Sequence, residues 1–367
     1  MSRRRSMSSS DVTTLLELVV RREGEAGGGG GGIRKPLPAL PVPSAASNRF
    51  FFERDNYAIS CELQKEIKKN PLLITKCFDD ILRYSREMID DAYGNYLLSC
   101  IIEKCNSLQL FRLVSHLGHV LTDVSLGFQG SYCIQTMCTK ARYDEKTLVL
   151  IWRYLKPVVN ELCVNAYGNH CIQKLITSGK VFYFPDLIQI IIDNFKMICL
   201  NRYGTFIIQR CFDAVVKSHP VFRMEMVHKL NQDFLEISHN DVGNYSVQYM
   251  IKHMTFIDLD VLRSVIRGNI VELACSIRGS NVLEALVERI ENRRLIQIII
   301  DEMTERGNLY KIVTNHYGCF CLKKALKSLD VSYEGRQLSL CIIEMLPFLE
   351  EVERVRAIVD LIKSIWL

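Results

Sequence analysis

No run of eighteen apolar residues occurs in this 367-residue chain, so it offers no stretch of the length and character of a membrane-spanning helix. Cys-x-x-Cys is missing although there are fourteen cysteines, and so is the paired Cys/His spacing of a zinc site. No metal is expected, and the thiols read as small, reduced core residues. Catalytic motifs are equally lacking: His, Asp and Glu recur with the period described below or scatter, and no nucleophile motif stands out. Six consecutive glycines, Gly27 to Gly32, have neither the preceding strand nor the Lys-Ser/Thr ending of a phosphate cradle. An enzyme is not expected, nor a cofactor.

A strong bulk charge is missing too. Residues 1 to 48 hold seven Lys/Arg and four Asp/Glu, so the remainder carries 39 against 37, a net charge of +2. A polyanionic partner would have to meet a local basic patch. The opening MSRRRSMSSSDVTTLLELVVRREGE has an apolar patch that is short and interrupted by Glu17, which disfavours a secretory signal. Its Arg and Ser suit an organelle transit peptide, but Asp11, Glu17, Glu23 and Glu25 weigh against one. An intracellular, cytoplasmic protein is expected. The glycine run and the following KPLPALPVPSAAS cannot build a packed core. Residues 1 to 48 therefore read as a flexible tail, and residues 49 to 367 as the folded domain.

What the chain has in abundance is one frame. NAYGNHCIQKLI begins at Asn165, NRYGTFIIQRCF at Asn201, NDVGNYSVQYMI at Asn240 and NHYGCFCLKKAL at Asn315. The glycines of the frame stand at 94, 130, 168, 204, 243, 279 and 318, at intervals of 36 to 39 residues, which is the signature of a repeat protein. Within a unit the period is helical: Cys171 pairs with Leu175 and Ile172 with Ile176 on an apolar face, while Asn169 and Gln173 share a polar one. LVLIWRYLKPVVNELCV and LIQIIIDNFKMICL supply further apolar helices upstream. Each unit should hold two or three helices. Asn165 and Asn201 should cap the last of them, with Gly supplying unusual dihedrals. A unit this small cannot bury its face alone, so neighbours must stack into a curved solenoid with equivalent helices along one surface.

The first, second and fifth residues after each Gly then form a ladder. They are Asn95, Tyr96 and Ser99; Ser131, Tyr132 and Gln135; Asn169, His170 and Gln173; Thr205, Phe206 and Gln209. The series continues with Asn244, Tyr245 and Gln248; Ser280, Asn281 and Glu284; Cys319, Phe320 and Lys323. The second position is aromatic or His in six of the seven units. An aromatic at helical spacing usually belongs to a core, and an amide pair usually lies on a solvated face. Core packing, however, does not require an amide beside an aromatic on the polar side in seven units in register.

This pattern resembles the Pumilio (PUF) family of single-stranded RNA-binding proteins over roughly residues 50 to 367. The resemblance implies an all-α, right-handed curved α-solenoid of stacked three-helix repeats: a degenerate first repeat, seven recognisable ones and a C-terminal cap. In that family each repeat reads one base with two or three side chains, two at the base edge and one stacked between bases. The implied partner is the 3′ untranslated region of messenger RNA, and the implied function is control of translation and stability, with protein effectors on the convex face. A monomer without a membrane partner is expected. An amide pair such as Asn169 with Gln173 or Asn244 with Gln248 suits uracil, and Ser280 with Glu284, rich in acceptors, suits guanine. Tyr96, Tyr132, His170, Phe206, Tyr245 and Phe320 would be stacking platforms. Since family members run antiparallel to their RNA, the expected core is G followed by U, with a second U two bases on.

The chain departs from the family at several places. Counting back 36 residues from Gly94 reaches Ala58, where the Gly is missing. Tyr132 and Phe206 stand where the family commonly has Arg, Ser99 replaces an expected Gln, and Cys319 and Lys323 replace an Asn and a Gln, leaving base preference open in those four units. Lys323 suits a solvated face as well as a phosphate or base contact. A helical scaffold for proteins, or a nucleolar relative acting on ribosomal RNA, stays open as an alternative.

Overall fold

The computed structural model describes residues 54–179, 183–349 and 353–366. The expected tail, residues 1 to 48, lies outside them. The described residues are mostly helical, with no strand among them, and they fold into the all-α repeats that the period predicts. The chain divides into two compact units, one ending at Gly179 and the other starting at Lys180.

The repeats of both units share a plan: a long outer helix, a short connecting helix and a ladder helix that starts at or near the Gly of the frame. In the first unit, Ser107–Leu117, Val120–Val124 and Phe128–Lys140 form one repeat, and Glu145–Leu155, Val159–Val164 and Gly168–Ser178 the next. The second unit repeats the plan, as in Pro220–Gln232, Phe234–His239 and Gly243–His253. Local chemistry fixes the starts of the outer helices. Asn106 with Gln109 and Thr255 with Asp258 make reciprocal capping boxes. Pro185 and Pro220 occupy first turns, where a missing N–H costs nothing.

The recurring Asn does what the sequence predicts, and the Gly does something else. Asn165 Oδ1 accepts from the backbone N–H groups of Tyr167 and Gly168, both at 2.8 Å. Asn201, Asn240 and Asn315 make the same pair of bonds in their units. The expectation of unusual glycine dihedrals is corrected: among the described glycines only Gly118 and Gly268 have positive φ, and neither belongs to the frame. The frame glycines are needed because the ladder helix starts hard against the short helix before it. A Cβ on Gly243 would stand 2.8 Å from Ile237 Cγ2 and 3.0 Å from Ile237 O, closer than side-chain carbons pack.

Neighbouring ladder helices lock together through three kinds of contact. Buried thiols three residues after the Gly donate to the backbone of the preceding repeat: Cys133 to Asn95 O at 3.3 Å, Cys171 to Ser131 O at 3.6 Å and Cys321 to Ser280 O at 3.5 Å. Side chains six residues after the Gly clasp carboxylates of the previous helix. Tyr249 donates to both oxygens of Asp213, at 2.7 and 2.8 Å, and Lys324 pairs with Glu288. The guanidinium of Arg289 reaches back to cap Ile251 O and Met254 O at the end of helix Gly243–His253.

Both ends of the array substitute a frameless helix for the ladder helix. Arg54–Lys69 packs on Gly94–Lys104, with the Cys100 thiol 4.0 Å from Gln64 O. At the other end Glu353–Trp366 packs on His316–Leu329, anchored by Trp366 Nε1 donating to Ser339 Oγ at 3.1 Å.

Candidate nucleic-acid interface

The ladder helices sort their three marked positions the same way in every repeat. The first residue after each Gly lies under the surface, at most 5% exposed from Asn95 to Cys319. The second, which is Tyr96, Tyr132, His170, Phe206, Tyr245, Asn281 or Phe320, is exposed in all seven. The fifth is half-buried in six: Gln135, Gln173, Gln209, Gln248, Glu284 and Lys323. Ser99 is the exception, 4% exposed. A row of rings held out in solvent beside half-buried polar groups is the reverse of a packed core, where rings would go in.

Burial of the first position has a chemical purpose. Its donors are spent on the turn that precedes the helix. Asn169 Nδ2 donates to Asn165 O and Ala166 O at 2.8 and 2.9 Å, and Asn244 Nδ2 to Asn240 O and Asp241 O at 2.8 and 3.1 Å. Ser131, Thr205 and Ser280 turn their hydroxyls back to Phe128 O, Asn201 O and Ile277 O. The Cys319 thiol donates to Val313 O. The first position is therefore an acceptor, with its orientation fixed by the backbone.

In two units the acceptor is used to aim the fifth residue. Gln173 Nε2 donates to Asn169 Oδ1 at 2.7 Å, and Gln248 Nε2 to Asn244 Oδ1 at 2.8 Å. Each Gln keeps one N–H and its Oε1 side by side, a donor–acceptor pair in a set orientation. Glu284 carries acceptors only, and burial pushes its pKa upward, against the nearby Lys324. Gln135 and Gln209 stand beside hydroxyls in place of an amide. In the Gly94 unit Ser99 Oγ lies 3.5 Å from Cys133 Sγ, too short to reach Asn95, whose Oδ1 is buried without a hydrogen bond.

Tyr96 and Tyr132 show the platform spacing, with ring centroids 5.8 Å apart and planes tilted by 55°. Stacked bases rise about 3.4 Å each, so the two rings must swing apart to take a base between them. Sequence reasoning missed the clasps made by Tyr249 and Lys324, because the preceding repeat's carboxylates are 36 residues away. It also missed Asp91, which stands where other repeats have Asn. Asp91 Oδ2 accepts from Tyr93 N and Gly94 N at 2.7 and 2.6 Å, while Oδ1 is buried without a hydrogen bond. Burial raises its pKa to about 6, with those backbone N–H groups opposing the shift.

Fold and site together define a helical-repeat protein in which six units show an exposed ring, six a half-buried polar side chain at the fifth position, and two a fifth residue aimed by the first. Comparison with known proteins finds likenesses in sequence and in fold. Residues 159–181, 194–216, 233–266 and 269–304 match the Pumilio-family RNA binding repeat. Pumilio homolog 12 of Arabidopsis thaliana is 24% identical over 292 residues, covering 78% of this chain and 48% of the relative. A Pumilio domain-containing protein of Schizosaccharomyces pombe is 21% identical over 318 residues, covering 87% and 44%. The chain thus spans about half the length of the curated relatives it matches. Among solved structures, the Puf4 RNA binding domain bound to an HO endonuclease RNA 3′ UTR recognition sequence superposes with a TM-score of 0.73 at 22% identity, covering 83% of this chain and 95% of that one. PUF-8 in complex with PBE-RNA superposes at 0.74 and 20% identity, covering 84% and 90%. Four stretches of the chain thus match the Pumilio-family repeat, and over most of its length the chain resembles Pumilio proteins in sequence and Puf domains in fold.

Proposed function

We propose that this chain binds single-stranded RNA, one base per repeat, and through 3′ untranslated regions regulates the translation and stability of messenger RNAs in the cytoplasm. The observation that carries the reading is the sorting of the ladder: in six of seven units an exposed ring at the second position, and in six a half-buried polar group at the fifth, in register. Rings offer sequence-tolerant stacking worth about 1–3 kcal/mol per base, and the polar groups add selectivity.

Three units should select particular bases. The free Oε1 and N–H of Gln173 and of Gln248 match the N–H and a neighbouring carbonyl on the uracil edge. Glu284, ionised, matches the adjacent N–H donors of guanine, with Ser280 Oγ as a further acceptor. The repeats at Gly279 and Gly243 are consecutive, so their bases are neighbours, G beside U. The named complexes of Puf4 and PUF-8 contain RNA, and this chain's likeness to them supports the same class of ligand.

Selection of bound sequences from a random RNA pool, using the full chain, tests the reading. Enrichment of G-U with a second U two bases on is the expected outcome. A pool that never converges would overturn base reading and favour a protein-binding scaffold.

A further inference from the structure

The unit at Gly318 departs from its neighbours at both polar positions. Cys319 is 3% exposed and its thiol donates to Val313 O at 2.9 Å, so the first position points back to the last turn of the helix Arg306–Thr314. Phe320 is 50% exposed, and the His316 ring meets it edge-on with centroids 5.2 Å apart. Lys323 is half-buried on the same helix and places its Nζ 6.0 Å from the Phe320 ring centroid, within reach of a cation–π contact. Its neighbour Lys324 is held by Glu288, whereas Lys323 makes no ion pair among the described residues. The ammonium is thus kept in the layer of the platform, where a stacked base would present its edge.

The three kinds of fifth residue differ in the bonds they offer. Gln offers a donor beside an acceptor, Glu284 offers acceptors, and Lys323 offers three donors and no acceptor. On their pairing edges, guanine has two adjacent donors beside one carbonyl, uracil has a donor between two acceptors, and adenine has one donor and one acceptor. Cytosine has two adjacent acceptors, N3 and O2. We propose that the Gly318 unit selects cytosine, with Lys323 donating to N3 and O2 and Phe320 carrying the stacked ring. The proposal rests on the RNA reading of the ladder given above. It puts C next to the G of the core, on the side away from the U, since the three repeats at Gly318, Gly279 and Gly243 are consecutive.

Competition binding of the full chain tests this, using RNAs that share the G-U core and differ only in the base beside G, each made in both polarities. The expected result is a preference for C of about tenfold or more over U, A and G, equivalent to about 1.4 kcal/mol. Lys323→Gln should remove that preference. Lys323→Glu, which mimics Glu284, should move it to G, with thermal melting used to confirm that both variants fold. Equal binding of the four RNAs, with Lys323→Gln weakening all of them alike and lowering the salt slope by about one, would assign Lys323 to a phosphate and overturn the proposal. If the G-U core is still selected in that case, only the cytosine assignment fails. If changing G and U also has no effect, base reading by the ladder fails with it.

Discussion

The repeats at Gly168 and Gly94 begin from the same residue pair, an Asn followed by an aromatic ring, and finish differently. At Gly168, Gln173 donates to Asn169 Oδ1 and keeps a donor and an acceptor for a ligand. At Gly94, Ser99 turns to Cys133 and leaves Asn95 Oδ1 buried without a partner. Even the turns differ: Asn165 holds one repeat's turn with a neutral amide, while Asp91 holds the other's with a carboxylate whose pKa is raised to about 6. Under the RNA reading proposed above, having the frame is not enough to read a base: the first residue sets an acceptor in place, and reading would require a fifth residue long enough to use it.

The largest effect that sharpens this comparison is expected from a transplant. Ser280→Asn with Glu284→Gln recreates the Asn244–Gln248 pair at Gly279, and should switch that unit from G to U. Each pairing is worth on the order of 1–3 kcal/mol of discrimination, so competition between the two RNAs should reverse. A double variant that still prefers G would break the one-repeat, one-base scheme.

Next comes the platform. Tyr245→Ala should weaken binding by roughly 1–3 kcal/mol, while changing base preference less than the transplant does. An unaltered affinity in a folded variant would put the ring row off the interface.

Asp91→Asn tests the turns. The folded pKa of about 6 lies above the ordinary 3.8, so folding favours the protonated form. The parent's stability should therefore be highest below pH 4, fall as the pH rises toward 6 and stay low above it. The variant should lack this fall and gain on the order of 1–2 kcal/mol at pH 7.5 in chemical denaturation. An unchanged pH profile would show that the buried carboxylate costs nothing.

The smallest effect is expected from Ser99→Gln, which supplies the donor that Asn95 Oδ1 lacks. Affinity for an RNA with U at that position should rise by about 1 kcal/mol, measured by titration against the parent. No gain would mean that the Gly94 unit is limited by something other than the length of its fifth residue.

Much of this architecture was legible in the sequence because it is local. The glycine period, the i,i+4 faces and the capping Asn all act within a dozen residues, and helices follow from them. The three positions of the ladder could be named, but not their depth, since Asn169 and Tyr245 look equally polar-faced until the turn's carbonyls claim the amide. The glycines were correctly located and wrongly explained, because the close approach to Ile237 and its counterparts is a packing fact. Contacts that span a whole repeat, such as Tyr249 with Asp213, leave no trace at short range. The helix Arg54–Lys69, which contains Ala58, could be placed by the period as a degenerate first repeat, but without a frame it offered no ladder residues to name.

The buried thiols have a mechanical consequence. Cys133, Cys171 and Cys321 each sit between two ladder helices and touch the carbonyl of the previous repeat's first position. Burial pushes the thiol of Cys133 up to about 12, so it stays protonated and inert toward oxidants near neutrality. What the sulfur supplies is thickness. In repeats that touch only their neighbours, a shim of the same width at these three joints sets the pitch between the platforms on either side. An atom wider or narrower there would be felt as a phase error between the protein's rings and the bases of its ligand, growing with every repeat along the stack.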